Sequence, residues 1–324
     1  KHLFKSEVPG PITEGLKPKI KETASTLWKI YLGLTVIEAI LLYWAGMSVF
    51  DAVCHAFATL ATGGFSTKNG SVADFDSVPI DLIITFFMFL AGINFGLYYV
   101  AIKGRVGAIF KDTEFRVYAG VVVVATVAIA INILSVHPNF FQALRYSVFQ
   151  VVGIVTTTGF GTDNFDVWPP FSKLLLVFLM FMGGMAGSTA GGMKVSRLMV
   201  VVKAASIEVY KIFRPQAVKK VKLGRSVMPD AVTQSIFGFF VLFLAVFVVG
   251  TLFMGLLGLD VVTAATAVIA TLGNIGPGLA RVGSIENFAF IPAVGKVFLS
   301  FCMILGRLEL YTVLVLFLPD FWKK

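Results

Sequence analysis

Four apolar runs, 82–102, 117–134, 236–257 and 297–318, leave this chain little to fold into except a structure inside a lipid bilayer. Each approaches or exceeds the roughly 20 residues that cross a hydrocarbon core as helix. None alternates with the period of two that a transmembrane β-strand requires. Mean hydropathy is +0.87, and charged residues make up only 14% of the 324, too apolar a balance for an ordinary soluble domain. The chain therefore reads as an all-α polytopic membrane protein.

The formal net charge of +9 would suit a nucleic-acid partner if it lay along one exposed face, but its distribution argues otherwise. Six of the 27 Lys and Arg fall in 1–29, four in 103–116, nine in 194–225 and two at the C-terminus, leaving six elsewhere. Basic residues gathered beside apolar runs follow the positive-inside pattern. Those segments and both termini are thereby placed in the cytoplasm, and the reading has no nucleic acid as partner. The opposite loops, 66–78, 162–172 and 277–290, carry Asp74, Asp76, Asp163, Asp166 and Glu286 against Lys68 and Arg281. Asp163 and Asp166 read equally as cation-concentrating groups and as ordinary loop acids. Glu38 reads as a snorkelling or interfacial residue. Cys54, Cys302, His2, His55 and His137 show no metal-ligand spacing, so no cofactor is expected. The polar stretch 1–21 shows no cleavable leader.

Between basic clusters the chain repeats one unit three times: an apolar run, a shorter segment ending in glycine, then a second apolar run. The first unit comprises 27–45, 48–61 and 80–102; the second 115–134, 139–156 and 171 to about 202; the third 231–257, 260–270 and 291–318. The short segments open on helix-start residues, Ser48 with Asp51 three later, Pro138-Asn139, and Asp260. They are mostly too short to span, which predicts re-entrant helices. Each runs into a similar tail: TGGFS at 62–66, TTGFG at 157–161 and TLGNI at 271–275. All three fit T-x-G.

Non-helical chain at membrane depth leaves carbonyls unpaired unless they face water or ions. Glycine lets successive carbonyls turn toward one axis, because it reaches positive φ without a steric penalty. A ring of such carbonyls can replace the hydration shell of a dehydrated cation. The expected ion-selective backbone is therefore Thr62, Gly63, Gly64 and Phe65; Thr157, Thr158, Gly159 and Phe160; and Thr271, Leu272, Gly273 and Asn274, with the ion as transported ligand.

The repeat carrying ATGGFST (61–67), TTTGFGTDNF (156–165) and TLGNIGPGL (271–279) resembles the Trk/Ktr/HKT superfamily of potassium transporters. Within it, GGMAGSTAGGMK (183–194) and GRLELYTVLVL (306–316) resemble the Trk-type pore subunits, and the similarity covers essentially the whole chain. The resemblance implies consecutive outer helix, pore helix, filter and inner helix repeats of a pseudo-fourfold, potassium-channel-like pore. Residues 1–26 become a cytoplasmic connector, and 27–104, 105–222 and 223–324 become the second, third and fourth repeats, the N-terminal quarter being absent. It also implies a gate of Gly183, Gly184, Gly187, Ser188, Thr189, Gly191, Gly192, Lys194 and Arg307 that breaks an inner helix below the filter. Asn94 and Lys194 are weaker candidates for contacts with Arg307, and Glu309 is expected to pair elsewhere. The family implies potassium as the ion, a multi-pass position in a bacterial or archaeal plasma membrane, a homodimer, and a cytosolic nucleotide-binding regulatory subunit of the TrkA type.

Competing readings predict different residues. A phosphate loop fails, because Met193 follows Gly187–Gly192 where Lys is required. An intramembrane enzyme needs a catalytic pair within the spans, and none stands at credible spacing. An ion-coupled symporter with broken helices would carry inverted repeats, whereas these share one orientation. A fragment inactive without the first repeat is the remaining alternative.

Overall fold

The computed structural model describes residues 20–224 and 226–323. The first unit opens with α1 (Ile20–Trp44), 25 residues long. It takes in the end of the expected connector, most of which lies outside the described residues. A turn leads into α2 (Val49–Leu60), where the Ser48 hydroxyl accepts the Asp51 N–H at 3.1 Å and donates to the Asp51 carboxylate at 2.8 Å. The chain returns through α3 (Val78–Ala91) and α4 (Phe95–Ile102), bent by 94°. The run 82–102 is thus not one continuous helix. Its break is filled from the second unit: the Gly92 carbonyl accepts the Met185 N–H at 2.9 Å, while the Asn94 side chain caps α4 at the Gly96 N–H.

In the second unit, a short α5 (Gly107–Lys111) precedes α6 (Thr113–Asn132), capped by Asp112. Asn139 caps α7 (Phe140–Val155), and the return consists of α8 (Pro170–Met180), irregular chain over 181–194, and α9 (Val195–Phe213). A two-residue antiparallel pairing of β1 (Lys222–Leu223) with β2 (Ser226–Val227) links to the third unit. There α10 (Asp230–Leu256) is followed by α11 (Val261–Leu272), capped by Asp260, and by α12 (Ala293–Arg307) and α13 (Leu310–Val315). The run 297–318 is broken too, at Glu309, whose φ of 66° takes it out of the helical region.

The short helices α2, α7 and α11 have 12, 16 and 12 residues. At about 1.5 Å per residue they reach roughly 18–24 Å, short of the ~30 Å hydrocarbon core. Each lies on the long helix before it: α2 on α1, α7 on α6 and α11 on α10. Between units the contact is also repeated, since α3 packs on α7 and α8 packs on α11. Arg145 of α7 pins the first junction by an ion pair at 2.7 Å to the buried Asp81 of α3. The long helices turn large apolar side chains outward, among them Val123 and Val124 on α6 and Val249 and Leu252 on α10, as lipid-facing surface does.

Glu38 does not snorkel. It is wholly enclosed, and among the described residues neither carboxyl oxygen makes a hydrogen bond of good geometry, the neighbouring Thr59 hydroxyl being committed to the His55 carbonyl. Its position on α1, facing the end of α2, puts it too far from the helix ends for its short side chain to reach an interface.

Candidate functional site

Each short helix ends on a residue of right-handed conformation, Ala61, Thr156 or Gly273. The next residue has positive φ: Thr62 at 52°, Thr157 at 57° and Asn274 at 55°. Two residues later comes a glycine with positive φ, Gly64 at 65°, Gly159 at 80° and Gly276 at 108°. The hydrogen bonds repeat in step. Gly63 and Gly64 donate to the Ala58 carbonyl at 2.7 and 3.3 Å, Thr158 and Gly159 to Gly153 at 2.9 and 3.1 Å, and Ile275 and Gly276 to Ala270 at 2.8 and 3.4 Å.

This pattern corrects the register of the third tail by three residues. Thr271 and Leu272 are the last residues of α11, with the Thr271 hydroxyl bonded back to Ala267, and Gly273 is only the helix cap. The counterpart of Gly64 and Gly159 is Gly276. The T-x-G at 271–273 is a coincidence of composition at the helix end.

Neighbouring tails touch backbone to backbone. A Cβ on Gly64 would lie 1.8 Å from the Thr158 carbonyl oxygen, and one on Gly159 would lie 1.7 Å from that of Ile275. Both contacts run from the glycine of one tail to the residue before the glycine of the next. The three tails border one cavity of about 640 Å³, lined by Thr62, Gly63, Gly64, Phe65, Thr158, Gly159, Thr271 and Asn274 among the expected residues and by Ile275 and Gly276 besides. Thr157, Phe160, Leu272 and Gly273 do not line it. Between the first and third tails the wall is made by Phe288, Lys296, Met303 and Arg307.

The irregular chain 181–194 lies against the tails. It doubles back, so that a Cβ on Gly183 would meet the Gly191 carbonyl at 2.6 Å and one on Gly184 the Ala190 Cβ at 2.7 Å. Thr62 donates its hydroxyl to the Thr189 carbonyl at 2.9 Å, and the Gly191 N–H donates to the Thr157 hydroxyl at 2.6 Å. On the other side it plugs the break between α3 and α4. The Gly187 carbonyl accepts the Phe95 N–H at 3.0 Å, the Thr189 hydroxyl donates to Ala91, and Gly187 packs on the Asn94 amide. Ser188 bonds within the loop, to Met185, and Gly192 packs on Gly183.

Glu114 was not legible as part of this arrangement, being one acid in a basic stretch. Its buried carboxylate accepts the N–H of Ala186 at 2.8 Å and that of Ser196 at 3.0 Å, tying the loop and the start of α9 to α6. Asn94 meets the loop rather than Arg307. Arg307 donates to the Ala61 carbonyl at 3.2 Å, at the base of the first tail. Lys194 donates to the Ala190 carbonyl and sits within electrostatic reach of Arg307, Glu309, Arg197 and Glu114. Glu309 does pair elsewhere, with Arg197, whose guanidinium also lies 4.2 Å from the Phe239 ring centre.

The outer acids are structural ties. Asp163 accepts from His137 and from the Trp168 indole, each at 2.8 Å, and Asp166 accepts the Ala280 N–H at 2.8 Å, joining the second unit to the third. Burial pushes the Asp166 carboxyl above the usual range, against the pull of that N–H.

The family model described as "TrkH: Cation transport protein" matches residues 2–324. The chain belongs to the TrkH family. It is 41% identical over 328 residues to the Trk system potassium uptake protein TrkH of Salmonella typhimurium, covering 99% of this chain and 67% of that protein. It is 31% identical over 329 residues to the Trk system potassium uptake protein TrkG of Escherichia coli, with the same two coverages. The crystal structure of the potassium transporter TrkH from Vibrio parahaemolyticus superposes with a TM-score of 0.88 at 39% identity, covering 95% of this chain and 67% of that one. TrkH-family membership fixes a multi-pass plasma-membrane protein. Over the matched residues the helical fold is that of the Vibrio transporter.

Proposed function

We propose that this chain takes up potassium across the plasma membrane, the ion passing between the tails through backbone carbonyls of 62–65, 157–160 and 274–276. The reading is supported above all by the repeated contact of Gly64 on Thr158 and Gly159 on Ile275, which brings three carbonyl-bearing segments to one cavity. Carbonyl oxygens substitute for hydration water around a monovalent cation, and all three filter positions are glycine. The relatives' names, potassium uptake proteins, agree with this chemistry.

Residues 183–192, with Lys194 and Arg307, form the gate in this reading, because the loop lies across the bases of the first two tails. A homodimer and a cytosolic nucleotide-binding regulatory subunit complete the assembly, the basic α9 and β1–β2 segment (Lys203, Lys211, Lys219, Lys220, Lys222) offering the docking face.

Complementation of cells lacking potassium uptake tests this, with the chain expressed with and without the further segment its relatives possess. Growth on low potassium is expected, and Gly64→Ala should abolish it at unchanged protein level. Removing residues 187–191 should leave a leak. Growth that survives Gly64→Ala would exclude the tails as the path.

A further inference from the structure

We propose that His55 is a positioning residue for the ion pathway: a neutral imidazole that fastens the outer end of the first tail to the second. The proposal rests on the reading of the tails as the conducting element. His55 lies on α2 and is fully enclosed. Its Nδ1 is 2.7 Å from the Asp51 carbonyl oxygen and its Nε2 is 2.9 Å from the Ser66 hydroxyl. A carbonyl only accepts, so Nδ1 carries the hydrogen, and in the neutral ring Nε2 must accept from Ser66. Ser66 also accepts the Lys68 N–H at 3.1 Å, which commits both roles of its hydroxyl.

Ser66 directly follows Phe65, the outermost cavity-lining residue of the first tail. The imidazole face meanwhile stacks on Phe160, which follows Gly159 in the second tail, with centres 5.6 Å apart and planes at 25°. Phe75 closes the edge at 5.2 Å. One side chain therefore touches both tails at their outer ends. The same seam is stitched further out, where Ala73 donates to the Gly161 carbonyl and Ser71 accepts the Gly161 N–H, each at 3.1 Å.

The corresponding positions, three residues before Ala58, Gly153 and Ala270, are His55, Gln150 and Ala267. Of these three positions only the first carries a titratable side chain. A proton on Nε2 would point at Ser66, which already accepts from Lys68, and the bond could persist only if the hydroxyl turned its own hydrogen away. The charged groups facing His55 are Asp51 on its own helix, whose carboxylate takes the Ser48 and Thr67 hydroxyls, and Lys68 beyond the tail. Phe75 and Phe160 bring none.

The test is rubidium uptake and its discrimination against sodium, measured against external pH in the full chain and in His55→Gln, His55→Ala, Ser66→Ala and Gly159→Ala. Discrimination in the unaltered chain should fall about fivefold, the ratio one ordinary hydrogen bond corresponds to, as external pH drops below the ordinary histidine range of about 6.5, since enclosure disfavours the charged ring. His55→Gln, which accepts from Ser66 without titrating, should discriminate normally at neutral pH and lose the pH dependence. His55→Ala and Ser66→Ala should discriminate poorly at every pH. Normal discrimination in Ser66→Ala, or an unchanged pH profile in His55→Gln, would overturn the proposal even if His55→Ala failed to fold. Full uptake by Gly159→Ala would instead sink the underlying reading of the tails.

Discussion

The tails and the loop 181–194 are both glycine-bearing, non-helical chain packed among helices, yet they are held in different ways. Each tail is fixed by its own short helix, two successive N–H groups folding back onto one carbonyl five and six residues earlier, as in Gly63 and Gly64 on Ala58. The loop has a few local bonds, such as Met182 to Leu179, Ser188 to Met185 and Lys194 to Ala190, but none repeats that pattern. Ala186 within it and Ser196 just beyond it hang on Glu114, 72 and 82 residues away, and the rest on Thr62, Thr157, Ala91 and the chain around Asn94. Geometry set locally recurs wherever the local sequence recurs, and it is rigid. Geometry set by distant partners can be exchanged for another arrangement without unfolding the element that carries it, which suits a part that must move.

The largest expected effect separates glycines of the two regions. In Gly159→Ala the new methyl would sit 1.7 Å from backbone at Ile275, and backbone in the middle of the packed ring cannot step aside. Overpacking costs about 1–3 kcal/mol, and since ~1.4 kcal/mol on a barrier is tenfold in rate, rubidium uptake should fall by about five- to a hundredfold. In Gly187→Ala the methyl meets the Asn94 Oδ1 at 2.9 Å, the end of a side chain that can shift by loosening its cap on Gly96, beside the cost of positive φ, ~1–2 kcal/mol. Uptake by that variant should persist with altered gating. Equal losses in the two variants would erase the distinction.

Glu114→Ala comes next. It strips two buried N–H groups of their acceptor, at about 1–3 kcal/mol each, all of it charged to the loop. Cells carrying it should lose internal potassium on transfer to low-potassium medium, while Glu114→Gln, which keeps an acceptor oxygen, should leak less. A tight membrane in Glu114→Ala cells would mean the loop needs no distant anchor. Thr157→Val removes a single acceptor, that of Gly191. Its leak should be smaller, by the same measurement, since one N–H is orphaned rather than two.

The same contrast explains what could be read in the chain beforehand. Ser48, Asn139 and Asp260 begin short helices because capping chemistry is local, and the first two tails announce themselves by T-x-G. The third was misread because Thr271-Leu272-Gly273 offers the motif one turn early. Counting from the cap would have found it, since sixteen residues separate Ser48 from Gly64 and also Asp260 from Gly276. The breaks at 92–94 and at Glu309 were hidden inside apolar runs, because what breaks them is the loop of another unit and the Arg197 ion pair. Glu114 and His55 were invisible for the same reason. Arg307 was expected to meet the gate on resemblance, and its bond goes to Ala61 at the base of a tail.

Behind the first tail, Glu38 offers the smallest and sharpest test. It is fully enclosed, and neither of its oxygens makes a hydrogen bond of good geometry among the described residues. If the tail is held by its own helix and by apolar packing, the carboxyl contributes nothing to that hold, and burying it unpaired carries a cost. Replacing such a group by an apolar one of similar size is commonly neutral or stabilising. Glu38→Leu should therefore keep rubidium uptake and raise the Tm in detergent by a few degrees, with Glu38→Gln close to the unaltered chain. A lower Tm together with lost uptake in Glu38→Leu would mean that the first tail, like the loop, depends on a polar contact with a distant helix, and the division between locally and distantly fixed backbone would no longer hold.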